Sequence, residues 1–202
     1  MIKLIQNWNA TMEWLAVHEP RILEIVPQEL PCNRKEGILL SRYLILKLFG
    51  NFIQVDYNDY KKPFLVGRSE NISISHTKGA AALWVSPTLN GAVDIQIMKL
   101  KINQLYPYFL NQWQQEEIIK IKDLYFRTLL LTRLWTIKEV CIKYSEEKYL
   151  GFKNNIIIPT IASLTAKNIL KMDAVIRGKC ATKILSMSSF CDDKYVITFT
   201  IK

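Results

Sequence analysis

A chain of 202 residues is long enough for one ordinary domain or for two small, intimately packed halves. Half of its residues are hydrophobic and 22% are charged, a balance that excludes a disordered or low-complexity chain. The formal net charge is +9, with lysine and arginine spread along the whole length, so the expected partners are anionic: nucleic acid, a phosphorylated cofactor or an acidic protein. The opening Met1-Ile2-Lys3-Leu4-Ile5-Gln6-Asn7-Trp8 lacks the apolar core and small-residue cleavage site of a signal peptide. The most apolar stretch, Ile38 to Phe49, carries Arg42 and Lys47 and is too short to span a bilayer. A cytoplasmic chain is the expectation. The cysteines, Cys32, Cys141, Cys180 and Cys191, form no CxxC pair, and only His18 and His76 could join them on zinc, so they read as buried thiols.

In chain order, Lys35 to Phe49 carries apolar residues at 38, 39, 40, 44, 45, 46, 48 and 49 and predicts a helix stopped by Gly50-Asn51. Asp56 to Pro63 is polar, aromatic and turn-like. Asn71-Ile72-Ser73-Ile74-Ser75 alternates as a strand does, and Ser73 to Gly79, coming off the strand's end, reads as a phosphate cradle of hydroxyl, imidazole and ammonium donors. Ala80 to Val85 and Ala92 to Ile97 predict two strands joined through Pro87 to Gly91 by a hairpin-like connection. Gln112 to Lys122 and Leu124 to Tyr144 predict helices, the second with Leu130, Leu134, Ile137, Cys141 and Tyr144 on one face. Strands return at Asn155 to Ile158, Thr182 to Ser186 and Tyr195 to Ile201. Each half supplies helices and strands, so the fold class is α+β, with no repeat evident in the letters.

Two carboxylates stand out. Trp135, Glu139 and Lys143 follow one another at four-residue steps along one side of a helix. Asp94 sits inside the apolar strand Ala92-Val93-Asp94-Ile95, where an unpartnered carboxylate is expensive and a hard cation is one suitable partner. An Asp from a strand and a Glu from a helix could together hold magnesium beside a phosphate. Arg42, on the first helix, is by its residue type more often a solvated or snorkelling side chain than a phosphate ligand.

Taken in series, Arg42-Tyr43-Leu44, Lys61-Lys62-Pro63-Phe64-Leu65, Ile74-Ser75-His76-Thr77, Val93-Asp94-Ile95 and Trp135 to Lys143 resemble the 4′-phosphopantetheinyl transferases of the surfactin-synthetase-activating type. That family shows an Arg-containing first helix, a G-K-P-x-L turn, an S-H-S strand end, G-[IV]-D-[IV]-E and W-x-x-K-E-x-x-x-K; the likeness covers roughly Arg34 to Phe152. The resemblance implies two pseudo-symmetric α+β halves, here 1–88 and 89–202, with the active site in the cleft between them. It implies a magnesium site of Asp94, Gln96 and Glu139, catalytic roles for Glu139, Lys143 and Asp94, and coenzyme A held by Arg42, Lys62, Pro63, Ser75, His76, Lys138 and Lys143. The implied reaction moves the phosphopantetheine arm of coenzyme A onto a serine of an apo acyl or peptidyl carrier protein, releasing adenosine 3′,5′-bisphosphate. A monomer without nucleic-acid or membrane partners is the corresponding expectation. Three motifs depart from the pattern: Ala92 and Gln96 replace the Gly and the second acid of G-[IV]-D-[IV]-E, Lys61 replaces the turn glycine, and Gln114 falls where an F-[FS]-x-x-E glutamate is expected unless Glu116 or Glu117 shifts into register. Gln96 still offers a carbonyl oxygen but no charge. The glutamines keep a non-catalytic coenzyme A or carrier-protein binder as the alternative.

Overall fold

The computed structural model describes residues 2–5, 8–19, 21–24, 26, 29–147, 150–159, 164, 169–179 and 181–201; Met1, Gln6, Asn7 and Cys180 lie outside them. In chain order the elements are β1 (Ile2–Ile5), α1 (Trp8–His18), α2 (Arg21–Glu24), α3 (Cys32–Phe49), β2 (Val55–Tyr57), β3 (Pro63–Leu65), β4 (Asn71–Thr77), β5 (Ala80–Ser86) and β6 (Val93–Ile97). There follow α4 (Ile102–Phe109), α5 (Gln112–Lys120), α6 (Leu124–Ser145), β7 (Ile156–Ile157), β8 (Leu170–Arg177), β9 (Thr182–Cys191) and β10 (Tyr195–Thr200). The fold is α+β. One sheet runs β1-β5-β4-β3-β2 and the other β6-β10-β9-β8-β7. The chain divides into units 1–95 and 96–202, with the boundary inside β6.

In both halves of the element order a strand, three helices and four strands follow one another, and both sheets place their first strand beside their last. The repeat extends to residues. Ile38-Leu39-Leu40-Ser41-Arg42 of α3 matches Leu129-Leu130-Leu131-Thr132-Arg133 of α6, and Lys47 matches Lys138. The Ser41 hydroxyl donates to Gly37 O at 2.6 Å and the Thr132 hydroxyl to Thr128 O at 2.8 Å, the same bond one turn back in each helix.

Helix α3 needs apolar residues on two faces because it is covered on both. Leu40, Leu44 and Ile45 pack with Ile53, Leu65, Ile72, Ala81 and Leu83 of the sheet side. Leu39 and Leu46 pack with Leu15, Ile22 and Val26 on the other. Gly50, at φ 78°, ends the helix in the left-handed conformation and donates to Leu46 O.

Two sequence expectations change. The Pro87–Gly91 connection does not close a hairpin: β5 is already flanked by β1 and β4, so neither edge is left for β6. Nor does the chain leave the strand after Ser75; β4 runs on to Thr77, and Lys78-Gly79 is a tight turn with Thr77 paired to Ala80 and Gly79 at φ 78°. Within the turn-like Asp56–Pro63 segment the ends are strands, with Tyr57 opposite Pro63, around a loop where Asn58 Oδ1 accepts from the Tyr60 and Lys62 amides at 3.0 Å each.

In the second unit α6 packs on α4 and on β8, β9 and β10. Asp123 caps it through Phe126 N, and Asn111 and Gln114 form a reciprocal capping box on α5. Arg133 is wholly buried. Its Nε donates to Ser189 Oγ at 3.2 Å and its Nη1 to the Leu164 carbonyl, while Thr198 links Ser189 to Thr136 at 3.0 and 2.7 Å. Burial pulls the guanidinium's pKa down, and the Cys191 side chain opposes that shift. Truncation would strand these buried acceptors and leave a cavity, so Arg133→Ala should cost about 3 kcal/mol or more in urea denaturation. A loss within about 0.5 kcal/mol, the range of an ordinary surface change, would dismiss the network as a stabilising element.

Candidate functional site

Strand β4 alternates, and its two faces do different work. Ile72 and Ile74 point to α3 and its core, and His76 follows them on the same face. There the imidazole lies against Gly37: a methyl group on that glycine would stand 2.2 Å from Nδ1, 2.4 Å from Cγ and 2.6 Å from Cε1. Ser73 and Ser75 point to the opposite face and meet β6. Ser73 Oγ accepts from Val93 N at 3.1 Å, and Ser75 Oγ accepts from Ile95 N at 3.2 Å. The Ser75 hydroxyl in turn donates to Asp94 Oδ1 at 2.6 Å. Asp94, only 2% exposed, therefore has a neutral donor that stabilises the carboxylate without cancelling its charge. Since the one O–H of Ser75 is committed to Asp94, Ser75 serves as a positioner of that carboxylate and not as a phosphate donor.

Arg42 is half-buried on α3. Burial lowers its pKa, and a hydrogen bond to the Tyr57 side chain opposes the shift. The Lys62 ammonium donates to Asn90 Oδ1 at 2.5 Å, and Pro63 opens β3 beside it. Thus the first unit carries Arg42, Lys62, Pro63, Ser75, His76 and Asp94, and brings Ser75 directly onto Asp94.

The second unit carries Gln96, Lys138, Glu139 and Lys143. Glu139 and Lys143 are half-buried at successive turns of α6, below Trp135, whose ring stacks on Phe152 at 5.2 Å and meets Phe109 edge-on at 5.1 Å. Lys138 does not belong to a cofactor-facing set. It is wholly buried, and its ammonium donates to the carbonyls of Phe152 at 2.6 Å and Ile156 at 2.9 Å. It clamps the segment after α6 to the helix. Burial pushes its pKa down to about 8, and burial likewise pushes the neighbouring Cys141 thiol up to about 12, which leaves that sulfur protonated and unreactive. Gln114 is spent on the α5 capping box, so its place in the sequence reflects a helix start.

A magnesium ion fits the donor chemistry of Asp94, Gln96 and Glu139, which is all oxygen with two carboxylates. Among the described residues no three His, Cys, Asp or Glu side chains cluster. Among them, too, no helix is long and apolar enough to cross a membrane. The sequence reading missed Gly37 and Tyr57, and it placed Ser73 in a phosphate cradle, whereas the Ser73 hydroxyl is taken up by the Val93 amide. In comparisons with known proteins, no protein-family model and no curated protein matches this chain.

The Lys138 clamp has a pH signature. Its folded pKa, about 8, lies below its ordinary 10.5, so between these values the unfolded chain holds the proton more tightly. The charged-burial penalty is complete below pH 8 and fades toward pH 10.5. Relative to Lys138→Met, the parent should therefore gain stability as pH rises through this window, read as the difference between two denaturant series. A difference that stays flat or falls would contradict the assignment.

Proposed function

We propose that this chain is a magnesium-dependent 4′-phosphopantetheinyl transferase, a cytoplasmic monomer with the two-part α+β fold of that family. It transfers the phosphopantetheine arm of coenzyme A to a serine of an apo acyl or peptidyl carrier protein. The observation that carries this reading is the 2.6 Å Ser75–Asp94 hydrogen bond. It joins two motifs, Ser75-His76-Thr77 and Val93-Asp94-Ile95, on which the resemblance rests separately. The repeated order of elements supports the reading as well, since the family's halves are equivalent to each other.

In the proposed reaction the carrier serine oxygen forms a bond to the β-phosphorus of coenzyme A. The bond from that phosphorus to the bridging oxygen breaks, and adenosine 3′,5′-bisphosphate leaves with the electron pair. Glu139 accepts the serine proton. Lys143 brings positive charge to the phosphates, and Arg42, Lys62, Pro63 and His76 hold the nucleotide end. Asp94, Gln96 and Glu139 would hold magnesium, which when bound supplies charge neutralisation at the pyrophosphate. Ser75 keeps the Asp94 carboxylate in place. A surface of net charge +9 suits both polyanionic coenzyme A and acidic carrier proteins, chiefly by raising the encounter rate.

Intact-mass spectrometry of apo carrier protein incubated with the chain, coenzyme A and magnesium tests the reading. Asp94→Asn keeps an oxygen for the Ser75 hydroxyl while removing the charge, so it should fold and yet transfer roughly 100-fold or more slowly. Glu139→Gln should behave alike, and chelation of magnesium should stop the parent. The alternative, a binder without transfer, is favoured by Gln96, which brings no charge to the metal set. It would be recognised by coenzyme A binding with no mass gain on any carrier type.

A further inference from the structure

Residue Gly37 has no part in the chemistry so far, yet its missing side chain shapes a group that does. Within α3 a glycine interior costs helix stability relative to alanine. Here it is buried, and the His76 ring occupies the space a methyl group would need, with Nδ1, Cγ and Cε1 the ring atoms nearest. The Nδ1 edge thus backs onto the helix and Nε2 is the nitrogen turned away from it. The repeat gives an independent view of the pair. Matching Ser41-Arg42 with Thr132-Arg133 puts Thr128 at the position of Gly37. Matching Ile72-Ser73-Ile74-Ser75 of β4 with Leu185-Ser186-Met187-Ser188 of β9 puts Ser189 at the position of His76. Where the helix residue is larger, the strand residue is smaller, and Ser189 is free of a ring that would need room; it accepts from Arg133 instead. A glycine on the helix therefore goes with the histidine on the strand.

We propose that Gly37 is a positioning residue: it seats the His76 imidazole with Nε2 outward, and so sets the affinity for the phosphate-bearing end of coenzyme A. The second half of this statement rests on the transferase reading; the first does not. The chain has two histidines, so the ring resonances of His76 are identified in the ¹⁵N spectrum by their loss in His76→Ala. Gly37→Ala should move those resonances in the absence of any ligand. In the parent, coenzyme A with magnesium should perturb Nε2 more than Nδ1. By calorimetry Gly37→Ala should bind coenzyme A roughly 10- to 100-fold more weakly, as expected for loss of one charge-assisted hydrogen bond, and match His76→Ala. Gly37→Ala should add nothing further to His76→Ala. In that background it should also raise the melting temperature, because the ring is gone and alanine favours the helix. Unmoved ring resonances, multiplying losses of affinity, or a lower melting temperature in both backgrounds would overturn the proposal and leave Gly37 as a packing residue of α3. If the parent itself binds no coenzyme A, the transferase reading fails, while the ligand-free resonances and the melting comparison still decide whether Gly37 seats His76.

Discussion

Strand β6 has to satisfy its backbone on the edge that β10 does not cover, and the way it does so arranges the candidate site. The amides of Val93 and Ile95 are taken by the hydroxyls of Ser73 and Ser75, side chains standing in for a neighbouring strand. A hydroxyl that accepts from Ile95 still has a proton to give, and Ser75 gives it to Asp94. One small side chain therefore fulfils a backbone requirement and fixes a buried carboxylate. An alanine at this position would leave both the amide and the carboxylate without this partner, and in a buried setting each such loss is expensive. The same alternation that turns Ser73 and Ser75 toward β6 turns Ile72, Ile74 and His76 toward α3. The phase of a single strand thus decides which residues hold the acid and which meet the helix.

The helices show a complementary division of labour. Arg42 and Arg133 stand at matching positions of α3 and α6, each one residue after a Ser or Thr bonded back to the preceding turn. Arg133 is sealed among Ser189, the Leu164 carbonyl and Cys191, where its charge is held by hydrogen bonds within the unit. Arg42 remains half-buried with Tyr57 as partner. Likewise Lys138 is wholly buried on two carbonyls, whereas Lys47 is exposed, with its ammonium 3.8 Å from the centre of the Trp14 ring. The second unit has put its repeated cations to structural use.

What the sequence conveys follows from the range of the forces involved. The α+β class, α3, α5, α6 and strands β4, β5, β6 and β10 are written in the local pattern and are legible there, whereas the eight-residue β8 is not read from it. Elements without such a signal are not: β1 has four residues, α2 has four, and α4 carries Pro107 within its span. The β5–β6 connection misleads because turn residues announce a change of direction but not whether a sheet edge is open to receive the next strand. Lys138 misleads in the same way. Its spacing from Trp135 and Glu139 is local, but the carbonyls that claim it belong to residues 152 and 156. Motif letters record which residues are present; only the fold says which of their atoms are already in use.

This distinction bears on how the two glutamines that depart from the family pattern are weighed. Gln114 sits wholly buried at the start of α5, its backbone amide and its side-chain oxygen both engaged with Asn111. A glutamate there could accept from the same amide, but it would bring a charge into a site buried from water. Gln114 is thus engaged in the helix start, which gives it a structural role of its own. Gln96 is different. It is half-buried on β6, two residues beyond Asp94 and so on the same side of the strand, and replacing a carboxylate with an amide there lowers the charge of the proposed metal set by one. Magnesium held by two carboxylates and a neutral oxygen retains more of its own positive charge than magnesium held by three carboxylates, which weakens its binding and strengthens its pull on a phosphate. In the proposed metal set Gln96 would thus make for a looser but more electrophilic ion, and of the two glutamines it alone belongs to that set.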